Sequence, residues 1–555
     1  MQKTCVQCAA PFEITPEDLA MYEKVTPVIA GKRYELPPPT HCHLCREQRR
    51  LVWRGDTKWY HRKCDLTGKQ IISQYSSDKV HPVYAQEEWW SDHWDPLEHG
   101  REIDFSRPFF AQFGQLVKAV PRPALINEQC ENCMYCQNTT FSKNCYLSLT
   151  CKACEDAYYS YTLSDCRDVV DCASIFGCER CYECIHTRGC YDCVFSRKCM
   201  NCSACTFCFD CIGCSNCFGC TGLRNKSHYL FNKPASEDEI KNYRAGLASY
   251  AYFQEMMRHS YDVLKSAPHR ASYQLQSEDC TGDNIYNSRN CRCCFEIENC
   301  EDVAYGNQAK NFKDSIDVCG ALMGGELQFE NISAGGSVRT LGCFLSWHNS
   351  DCFYLNYSHY CRDCFGCIGL RHKRFCIFNR EYSEEEYFAL LPKIITHMQK
   401  TNEWGEFFPV QTASLAYNET NAMSHFPLTR EDVMHRGWAW RDDDDGQGKY
   451  MGPVVSLPDS IDDVEPSICE RILVCEATAK PYKIIPRELE FYRTMRLPLP
   501  RRAFEQRHRD RLMRSNPRRL WQRQCCDCAR AIQTSYAPDR PEKVYCETCY
   551  RAHVS

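Results

Sequence analysis

The sequence predicts a mainly β protein: duplicated Cys-rich β-solenoid modules with capping helices, flanked by N- and C-terminal zinc-ribbon domains. Three observations indicate this fold class. Every third residue of 130–223 is Cys, Ser, Thr, Ala, Val, Ile or Leu, and 21 of them are Cys. A Cys-x2-Cys unit, most often with an aromatic second residue, recurs every nine residues over 181–220. Further Cys-x2-Cys pairs stand near both ends of the chain.

Zinc ribbons are predicted at both ends because two Cys-x2-Cys pairs can bring four thiolates to one tetrahedral Zn²⁺. A thioredoxin-like redox pair would need a βαβ context that the flanking sequence does not show. His41 and His43 stand on either side of Cys42. We expect neither to bind the metal, since four Cys complete its coordination shell. We expect about two structural Zn²⁺ sites. Their predicted ligands are Cys5, Cys8, Cys42 and Cys45 in the first site, and Cys525, Cys528, Cys546 and Cys549 in the second.

The two ends align as copies of one unit that had two ribbons in tandem. Residues 11–19 match residues 481–489, and Cys64 falls on Cys525. The first copy keeps its first ribbon, and the last copy keeps its second. Thr67, Ala85 and Glu88 stand at lost ligand positions in the first copy, and Thr478, Ala503 and Gln506 in the last. We therefore expect Cys64 and Cys475 to bind no metal.

A period of three fits neither an α-helix nor a flat strand, and a column of small residues favours a β-solenoid. The nine-residue recurrence suggests two nonapeptides per coil, with the aromatic residues stacked as a ladder on one face. The Cys column has three alternative explanations: packing of a narrow bore, a metal–thiolate array, or disulfides. Packing is favoured, because no signal peptide is evident and cytosolic thiols stay reduced.

The module occurs twice. Segment 214–226 recurs 147 residues later as 361–373, and each copy continues through Phe-Asn into Ser-x-x-Glu. Ser-x-x-Glu is a capping box, so helices are predicted to begin after Ser236 and Ser383. A solenoid needs such elements to cover its last coil. A Gly-rich interval, 324–342, breaks the frame of the second copy.

We predict five successive segments. Within the first, the pair Trp89-Trp90 could stack on bases, but core packing is favoured. In the fourth, the acidic run 442–445 is expected to be a solvated loop. The segments are an N-terminal zinc ribbon with a degenerate second ribbon and an aromatic-rich stretch (1–120), the first solenoid module with its capping helix (121–268), the second (269–401), an irregular acidic connector (402–470), and a C-terminal degenerate ribbon, basic arm and zinc ribbon (471–555).

Basic arms lie beside both ribbons. Residues 487–530 hold 13 Arg or Lys against five Asp or Glu, and residues 46–63 hold seven against two. A basic cluster next to a zinc ribbon is typical of phosphate-backbone binding. The alternative is a solvated helical face that pairs with the acidic connector. The predicted nucleic-acid contacts are Arg46, Arg49, Arg50, Arg507, Arg511, Arg514, Arg518 and Arg519.

Composition narrows the class of protein. The chain has 555 residues, 45 Cys and a net charge of −5. With no run of 18 apolar residues and no apolar segment at residues 1–18, we expect a soluble, cytoplasmic protein without membrane contact. The sequence has no phosphate loop, Gly-x-Gly-x-x-Gly, His-Glu-x-x-His or nucleophile elbow, so no catalytic residues and no small-molecule substrate are predicted.

Six motifs carry a resemblance that spans most of the chain. They are Cys64-Asp-Leu-Thr-Gly-Lys, Trp89-Trp90-Ser91-Asp92, Asp104-Phe-Ser-Arg-Pro-Phe-Phe, Cys217-Phe-Gly-Cys220 with the following Leu-Arg-Asn-Lys, Glu403-Trp-Gly-Glu-Phe-Phe-Pro, and Asn516-Pro-Arg-Arg-Leu-Trp521. With these motifs the chain resembles a bacterial family of long, Cys-rich, zinc-ribbon-containing proteins. The resemblance implies zinc binding and assigns no activity.

Together these observations predict a non-enzymatic zinc-binding scaffold whose basic arms bind nucleic acid, RNA more readily than DNA. Two alternatives stay open. In the first, the solenoid thiols act in metal storage or redox chemistry. In the second, the aromatic face is a contact surface for a protein partner.

Overall fold

The structure, a computed structural model, describes residues 1–56, 58–159, 199–442 and 452–554, and four strands within 160–198. It contains two compact units, each made of two separate stretches of chain. The first combines Met1–Ile126 with Tyr273–Arg441, and the second combines Asn127–Ser272 with Asp442–Ser555. The N-terminal ribbons thus share a unit with the second repeated module, and the C-terminal ribbons share one with the first. Each unit therefore combines predicted segments that are not adjacent in the chain.

The first unit takes its helices from both stretches. Its α-helices are Pro16–Val25, His43–Leu51, Gln86–Trp90, Phe109–Ala119, Glu384–Lys400, Asn421–His425 and Arg430–His435, and its 3₁₀ helices are Pro96–His99, Val410–Thr412 and Tyr417–Glu419. Its N-terminal strands are Gln2–Thr4, Pro11–Glu13, Val28–Ile29, Lys32–Arg33, Tyr60–Lys63, Gln70–Ser73, Val83–Tyr84 and Arg122–Pro123. The strands of its repeated module are Gln274–Leu275, Gly282–Tyr286, Cys294–Glu298, Glu301–Ala304, Asn307–Lys310, Phe312–Ala321, Gly325–Ile332, Ser337–Leu341, Ser350–Phe353, Arg362–Phe365, Arg374–Ile377 and Arg380–Glu381.

The second unit has the matching parts. Its α-helices are Glu237–Ala245, Tyr250–Ser266, Pro486–Thr494, Phe504–Arg514 and Glu547–Val554, and its 3₁₀ helices are Gly246–Ala248, Ile461–Asp463 and Pro466–Glu470. The strands of its repeated module are Asn127–Glu128, Thr139–Thr140, Leu149–Lys152, Tyr161–Ser164, Arg167–Val169, Ala173–Phe176, Glu179–Cys181, Tyr229–Leu230 and Lys233–Pro234. The remaining strands are His269–Arg270, Leu473–Val474, Pro481–Tyr482, Trp521–Gln524, Ala531–Thr534 and Val544–Tyr545.

Strands of the second module stack in parallel with a regular step along the chain. Ser350 pairs with Arg362, and Arg362 pairs with Arg374, so neighbouring strands are 12 residues apart. We name this array, residues 274–377, the second ladder. Its strands follow the chain in their hydrogen-bonded order except for Glu301–Ala304, which lies off the main path and pairs with Phe312–Ala321. The predicted step of two nonapeptides is therefore wrong, because the step is 12 residues.

The first module repeats this arrangement where the structure describes it. We name the described residues between 127 and 230 the first ladder. Leu149 pairs with Tyr161, which pairs with Ala173, again at a step of 12 residues. Isolated parallel bridges with the same step reach from Met200 to Leu230. Residues 182–198, which include much of the nine-residue recurrence, lie outside the described residues.

A left-handed backbone at every third residue produces the period of three. From Gln129 to Tyr159, each third residue has a φ between 49° and 57°. This conformation is costly for most side chains and least costly for Gly, Asn and Asp. The residue after many of these corners, such as Cys136 after Tyr135, belongs to the buried cysteine cluster. One 12-residue step therefore contains four of these corners.

The interior thiols pack as small apolar groups and also donate hydrogen bonds to the backbone. Cys202 Sγ lies 3.3 Å from the carbonyl oxygens of both Met200 and Cys211. A serine does the same at Ser148, whose Oγ donates to two carbonyls at 3.2 and 3.0 Å. Every cysteine that the structure describes is a free thiol. Among these residues, the geometry agrees with packing of a narrow interior and not with disulfides.

The Gly-rich interval contains one extra residue. Phe312 pairs with Gly325, a step of 13 residues, and Gly325 pairs with Ser337, a step of 12. Gly324 has a φ of 74°, and a Cβ atom there would lie 2.6 Å from the carbonyl oxygen of Asn311. The predicted break of frame is thus a single residue that a glycine accommodates.

The Cys-aromatic units do not form one aromatic ladder in the described residues. Phe209 lies opposite Thr221, and Phe218 lies opposite Thr206. A nine-residue recurrence is three residues short of the 12-residue pairing step, so successive aromatic residues do not lie opposite one another. Phe218 instead contacts Phe207, with ring centroids 5.6 Å apart. The prediction of a single aromatic face is therefore wrong here.

Both ladders end at an asparagine. Asn379 Oδ1 accepts from the N–H of Ile368 and its Nδ2 donates to the carbonyl of Ile368, both at 2.7 Å. Asn232 makes the same two bonds to Thr221, at 2.7 and 2.8 Å. The side-chain amide replaces the backbone of the strand that would come next. It therefore ends the ladder without leaving buried backbone groups unpaired.

The predicted capping boxes at Ser236 and Ser383 are confirmed. Each serine side chain accepts from the N–H three residues further on, and the glutamate there bonds back to the N–H of the serine. The helices that follow are Glu237–Ala245 and Glu384–Lys400. The second of these packs on Arg374–Ile377, the last long strand of the second ladder.

Residues 402–441 form short helices and connecting turns, and they belong to the core of the first unit. Trp404 and Phe408 are at most 1% exposed. Glu403 accepts from the N–H groups of Phe109 and Phe110, each at 2.7 Å, and so caps helix Phe109–Ala119. Of the acidic run, residues 443–445 lie outside the described residues.

The tryptophan pair is part of the same core. Trp89 is completely buried, and its ring centroid lies 4.8 Å from that of Trp90 in an edge-to-face contact. The indole N–H of Trp89 donates to the carbonyl of Pro121 at 3.1 Å. These contacts agree with core packing rather than with an exposed platform for bases.

We expect Asn379→Ala to open the end of the second ladder. The substitution removes both bonds to Ile368 and a third bond of 3.0 Å to the carbonyl of Pro96. It leaves the N–H and carbonyl of Ile368 unpaired, at a cost of about 2–4 kcal/mol. Hydrogen exchange of peptides that contain Ile368 should accelerate strongly. Asn299→Ala is the matched control, because Asn299 has the same left-handed backbone but is exposed. Equal acceleration in both variants would assign the effect to the backbone conformation instead.

Candidate metal centres

A turn that begins at a cysteine occurs four times near the two ends of the chain. In each copy the N–H of the fourth residue after a cysteine bonds to the carbonyl of that cysteine at 2.8–3.0 Å, with a φ of 56–72° at the donor residue. An antiparallel hairpin encloses every turn. The four pairs are Ala9 with Cys5, Gly68 with Cys64, Ala479 with Cys475, and Ala529 with Cys525. The tandem, duplicated ribbons inferred from the sequence are thus visible as four similar turns.

The first candidate centre gathers Cys5, Cys8, Cys42 and Cys45, whose Sγ atoms all lie within 4.8 Å of one another. The first two belong to the turn after strand Gln2–Thr4. Cys42 is the N-cap of helix His43–Leu51, and Cys45 lies in its first turn. Cys8 is exposed and the other three are buried.

The second candidate centre gathers Cys525, Cys528, Cys546 and Cys549 under the same distance limit. Its first pair lies in the turn between strands Trp521–Gln524 and Ala531–Thr534. Its second pair lies at the start of helix Glu547–Val554, where the carbonyl of Cys546 accepts the first helical bond at 2.9 Å. Cys526 is exposed and stays outside the group.

Both groups fit a metal ion held by four sulfurs. A Zn–S bond of about 2.3 Å places the sulfurs of a tetrahedral site about 3.8 Å apart. The Sγ atoms of Cys8 and Cys42 are 3.8 Å apart, and so are those of Cys528 and Cys546. Thiolates are ligands for soft or borderline metal ions. The eight predicted cysteines could therefore hold one metal ion in each group.

The surroundings favour thiolates at two of these positions. A hydrogen bond from the Cys45 thiol lowers the pKa of Cys42 to about 4, despite burial. Burial raises the pKa of Cys525, but the N–H groups of Cys528 and Cys546 outweigh that effect and lower its pKa to about 6. A thiolate is the form that binds a metal ion.

The two histidines beside the first centre are not among its candidate ligands. His43 stacks on Tyr305 with ring centroids 5.2 Å apart. His41 Nδ1 shares a hydrogen bond of 2.7 Å with the hydroxyl of Thr40. Neither joins the cysteine group, and each makes the kind of polar or ring contact expected of a bystander.

The degenerate ribbons keep the turn but not the ligand set. Cys64 Sγ accepts from the N–H of Ala85 at 3.2 Å, and Cys525 Sγ accepts from the N–H of Cys546 at the same distance. The backbone of Ala85 thus makes the same hydrogen bond as that of the ligand Cys546, but its side chain has no sulfur to bind a metal ion. Neither Cys64 nor Cys475 belongs to a candidate metal group in the part of the chain that the structure describes.

The N-terminal arginines predicted to contact nucleic acid are buried in ion pairs. Arg46, Arg49 and Arg50 are at most 6% exposed. Their partners are carboxylates, two of them on the second ladder. The pairs are Arg46 with Asp317 at 2.8 Å, Arg49 with Glu330 at 2.9 Å and with Glu406, and Arg50 with Asp317 at 3.0 Å and with Glu330. These guanidinium groups are therefore not on a surface that a phosphate backbone could reach.

This ion-pair cluster has no direct sign in the sequence, since its partners lie more than 260 residues apart. One signal was available. Positions 46, 49 and 50 fall on a single helical face, which is the pattern of a face that packs against a charged partner as much as of one that binds phosphate.

The C-terminal arginines differ among themselves. Arg507 and Arg511 are 6% and 2% exposed. Arg507 Nη1 donates to the hydroxyl of Tyr492 at 3.0 Å, and its Nη2 lies 3.7 Å from Glu488. These two residues support the fold of the second unit. The remaining predicted contacts are Arg514 and Arg518, partly buried, and Arg519, exposed.

The cysteines inside the ladders form no further candidate metal group among the described residues, since only the two terminal groups meet the distance limit there. Their thiols instead donate hydrogen bonds to backbone carbonyls, as at Cys343, Cys361 and Cys367. The structure also contains, in the residues that it describes, no helix both long and apolar enough to cross a membrane.

Comparison with known proteins adds little. No protein-family model and no curated protein matches the chain. Among solved structures, the chain is similar to one described as a "putative acetyltransferase from Desulfovibrio desulfuricans G20", with 8% identity over 66% of this chain and 79% of that chain, and a TM-score of 0.09. That score is too low to indicate a shared fold, so it carries no argument.

We expect Cys45→Ser to remove one metal equivalent of the about two that the purified chain should hold, because a three-thiolate site loses most of its affinity. Elemental analysis after gel filtration measures this ratio. Cys64→Ser is the matched control, since it removes a buried thiol from the same kind of turn and should leave the ratio unchanged. Metal loss in the control but not in Cys45→Ser would reverse the assignment of the sites.

Proposed function

We propose that the protein is a non-enzymatic, zinc-binding scaffold in which two Zn²⁺ ions fasten the ribbons of the chain ends to two β-solenoids, the first and second ladders. The regular 12-residue step supports the solenoid interpretation. So do the small buried side chains after most corners and the asparagine that ends each ladder. Zinc is the metal that four thiolates in a small ribbon most commonly hold.

The observation that carries this proposal is the position of the metal ligands at the start of a docked helix. Cys42 and Cys45 open helix His43–Leu51. The arginines of that helix bind Asp317 and Glu330 of the second ladder. A metal ion at the cysteines would fix the first turn of the helix and so position its charged face.

The second centre stands in the same relation to the first ladder. Helix Glu547–Val554 begins directly after Cys546, and its Tyr550 bonds to Asp210 of the first ladder. Strand Val544–Tyr545, just before the helix, pairs in parallel with His269–Arg270. Two centres with one arrangement favour a structural role, because a working metal site would need an open coordination position.

Metal storage and thiol redox chemistry have less support. Storage requires several thiolates that converge on each ion. The described interior thiols instead donate to carbonyl oxygens, and none of them belongs to a candidate metal group. Buried, hydrogen-bonded thiols of this kind are also poorly reactive, since reactivity depends on an accessible thiolate.

Nucleic acid remains our proposed partner only for the second unit. Burial of Arg46, Arg49 and Arg50 speaks against the N-terminal arm as a binding surface. The C-terminal arm keeps partly buried and exposed arginines, which include Arg502, Arg514 and Arg519.

We expect loss of the first metal to loosen the helix that it opens. In Cys45→Ser, hydrogen exchange over residues 43–51 should accelerate at least about tenfold, because the first turn loses its anchor. Peptides over 531–554 should not change, and Cys64→Ser should match the wild type throughout. Unchanged protection of residues 43–51 in a metal-depleted Cys45→Ser chain would show that the buried ion pairs alone hold the helix, and the fastening role would be lost.

A further inference from the structure

A cleft of about 270 Å³ lies within the second unit. Its walls are helix Tyr250–Ser266 and helix Phe504–Arg514, and segment 498–502 closes it on a third side. The size is near the lower end for sites that bind small ligands. It is separate from both candidate metal centres, whose cysteines do not line it.

Each helix presents one face to the cleft. Tyr250 and Met257 are seven residues apart on the first helix, and Arg507 and Arg514 are seven apart on the second. Residues at this spacing lie on the same side of an α-helix. The first wall is therefore aromatic and apolar, whereas the second is basic.

The charge of the cleft is positive. Four arginines line it, Arg501, Arg502, Arg507 and Arg514, against one acidic residue, Asp510. Asp510 is already engaged by Arg502 at 2.6 Å and by the amide of Gln506 at 2.7 Å. Glu476 lies 3.6 Å from Arg501 and Glu488 lies 3.7 Å from Arg507, so even with these neighbours the arginines outnumber the carboxylates by one.

Aromatic rings lie under two of these arginines. The Arg501 guanidinium is 4.1 Å from the ring centroid of Tyr250, and that of Arg514 is 5.6 Å from the ring of Tyr261. Arg501 Nε is buried and has no hydrogen-bond partner among the described residues. A buried N–H donor without a partner is costly unless a ligand or water meets it.

We infer that this cleft binds a nucleoside phosphate, either a free nucleotide or one residue of a single-stranded nucleic acid. Arginine forks match the paired oxygens of a phosphate. An aromatic and apolar wall beside them suits a flat base, as in proteins that bind single strands by stacking. The inference deepens the nucleic-acid part of the proposed function and leaves the zinc-binding scaffold independent of it.

The test uses the full zinc-loaded chain with two probes, adenosine monophosphate and a labelled short oligoadenylate. Titration calorimetry follows the first and fluorescence anisotropy the second. Arg501→Gln with Arg514→Gln should weaken binding at least about tenfold, and should reduce the dependence of binding on salt. Arg509→Gln is the matched control, since Arg509 is exposed on the same helix and does not line the cleft.

A second variant tests the open space of the cleft separately from the charge of its arginines. Met257→Trp fills the space between the walls and keeps every arginine, so it should also weaken binding at least about tenfold. Met513→Trp is its control, because Met513 is 67% exposed on the second helix and outside the cleft. Zinc content and thermal midpoint, measured for every variant, show that each chain is folded.

The two sources of the ligand give different results. Binding of both probes assigns a nucleotide site, and binding of the oligoadenylate alone assigns a single-strand site. The inference is overturned if the wild type binds neither probe, or if both cleft variants bind as tightly as their controls. It is also overturned if inorganic phosphate or polyglutamate competes as well as adenosine monophosphate, since the cleft would then be a general anion site. None of these outcomes alters the metal ratio, so they leave the scaffold proposal standing.

Discussion

The left-handed corner at every third residue is the constraint on which both ladders depend. Each corner costs a non-glycine residue about 1–2 kcal/mol, and the second ladder repeats it from Asn287 to Tyr305 as the first does from Gln129 to Tyr159. The cost is offset because each turn of chain pairs with the next and buries a column of small side chains. Asparagine at several corners adds a further gain, since Asn287 and Asn299 hydrogen-bond to each other across one step at 3.2 Å.

The same constraint explains why cysteine dominates the interior. The interior position after most corners holds a small side chain, with exceptions such as Phe312 after Asn311. Carbonyl oxygens there have a second lone pair that a donor can use. Cysteine fills the space better than serine and still donates a weak bond. In the second ladder, polar residues such as Asn331 and Asn349 take interior places, and their side chains bond to backbone groups there. Cysteine is thus one of several solutions, which fits a packing role.

Charge is buried where the ribbons meet the ladders, and this changes the meaning of the basic arms. A buried guanidinium is tolerated only when carboxylates compensate it. Asp317 and Glu330 supply that compensation from corner positions of neighbouring strands in the second ladder. The N-terminal arm is therefore basic in the sequence, but the charges of its buried arginines are compensated in the folded unit. The cleft of the second unit differs because its arginines outnumber its carboxylates.

Local signals in the sequence were sufficient for several features. The Cys-x2-Cys pairs, the Ser-x-x-Glu boxes and the lost ligands at Ala85 and Ala503 each depend on a few neighbouring residues. Features that depend on distant pairing were not predictable in this way. Both the nine-residue recurrence and the 12-residue pairing step are multiples of the three-residue period. The sequence pattern is therefore compatible with either step. The partners of Arg46 and Arg50 lie in the other half of the chain, and the crossing of ribbons and modules between the two units has no local signature.

Anomalous X-ray scattering at the zinc edge tests the central claim most directly, because it locates every bound metal ion. A crystal of anaerobically purified protein should show one peak among Cys5, Cys8, Cys42 and Cys45, and one among Cys525, Cys528, Cys546 and Cys549. The first and second ladders should show none. Peaks along the interior cysteines would contradict the account, since those thiols would then be metal ligands and not the packing of a narrow coil.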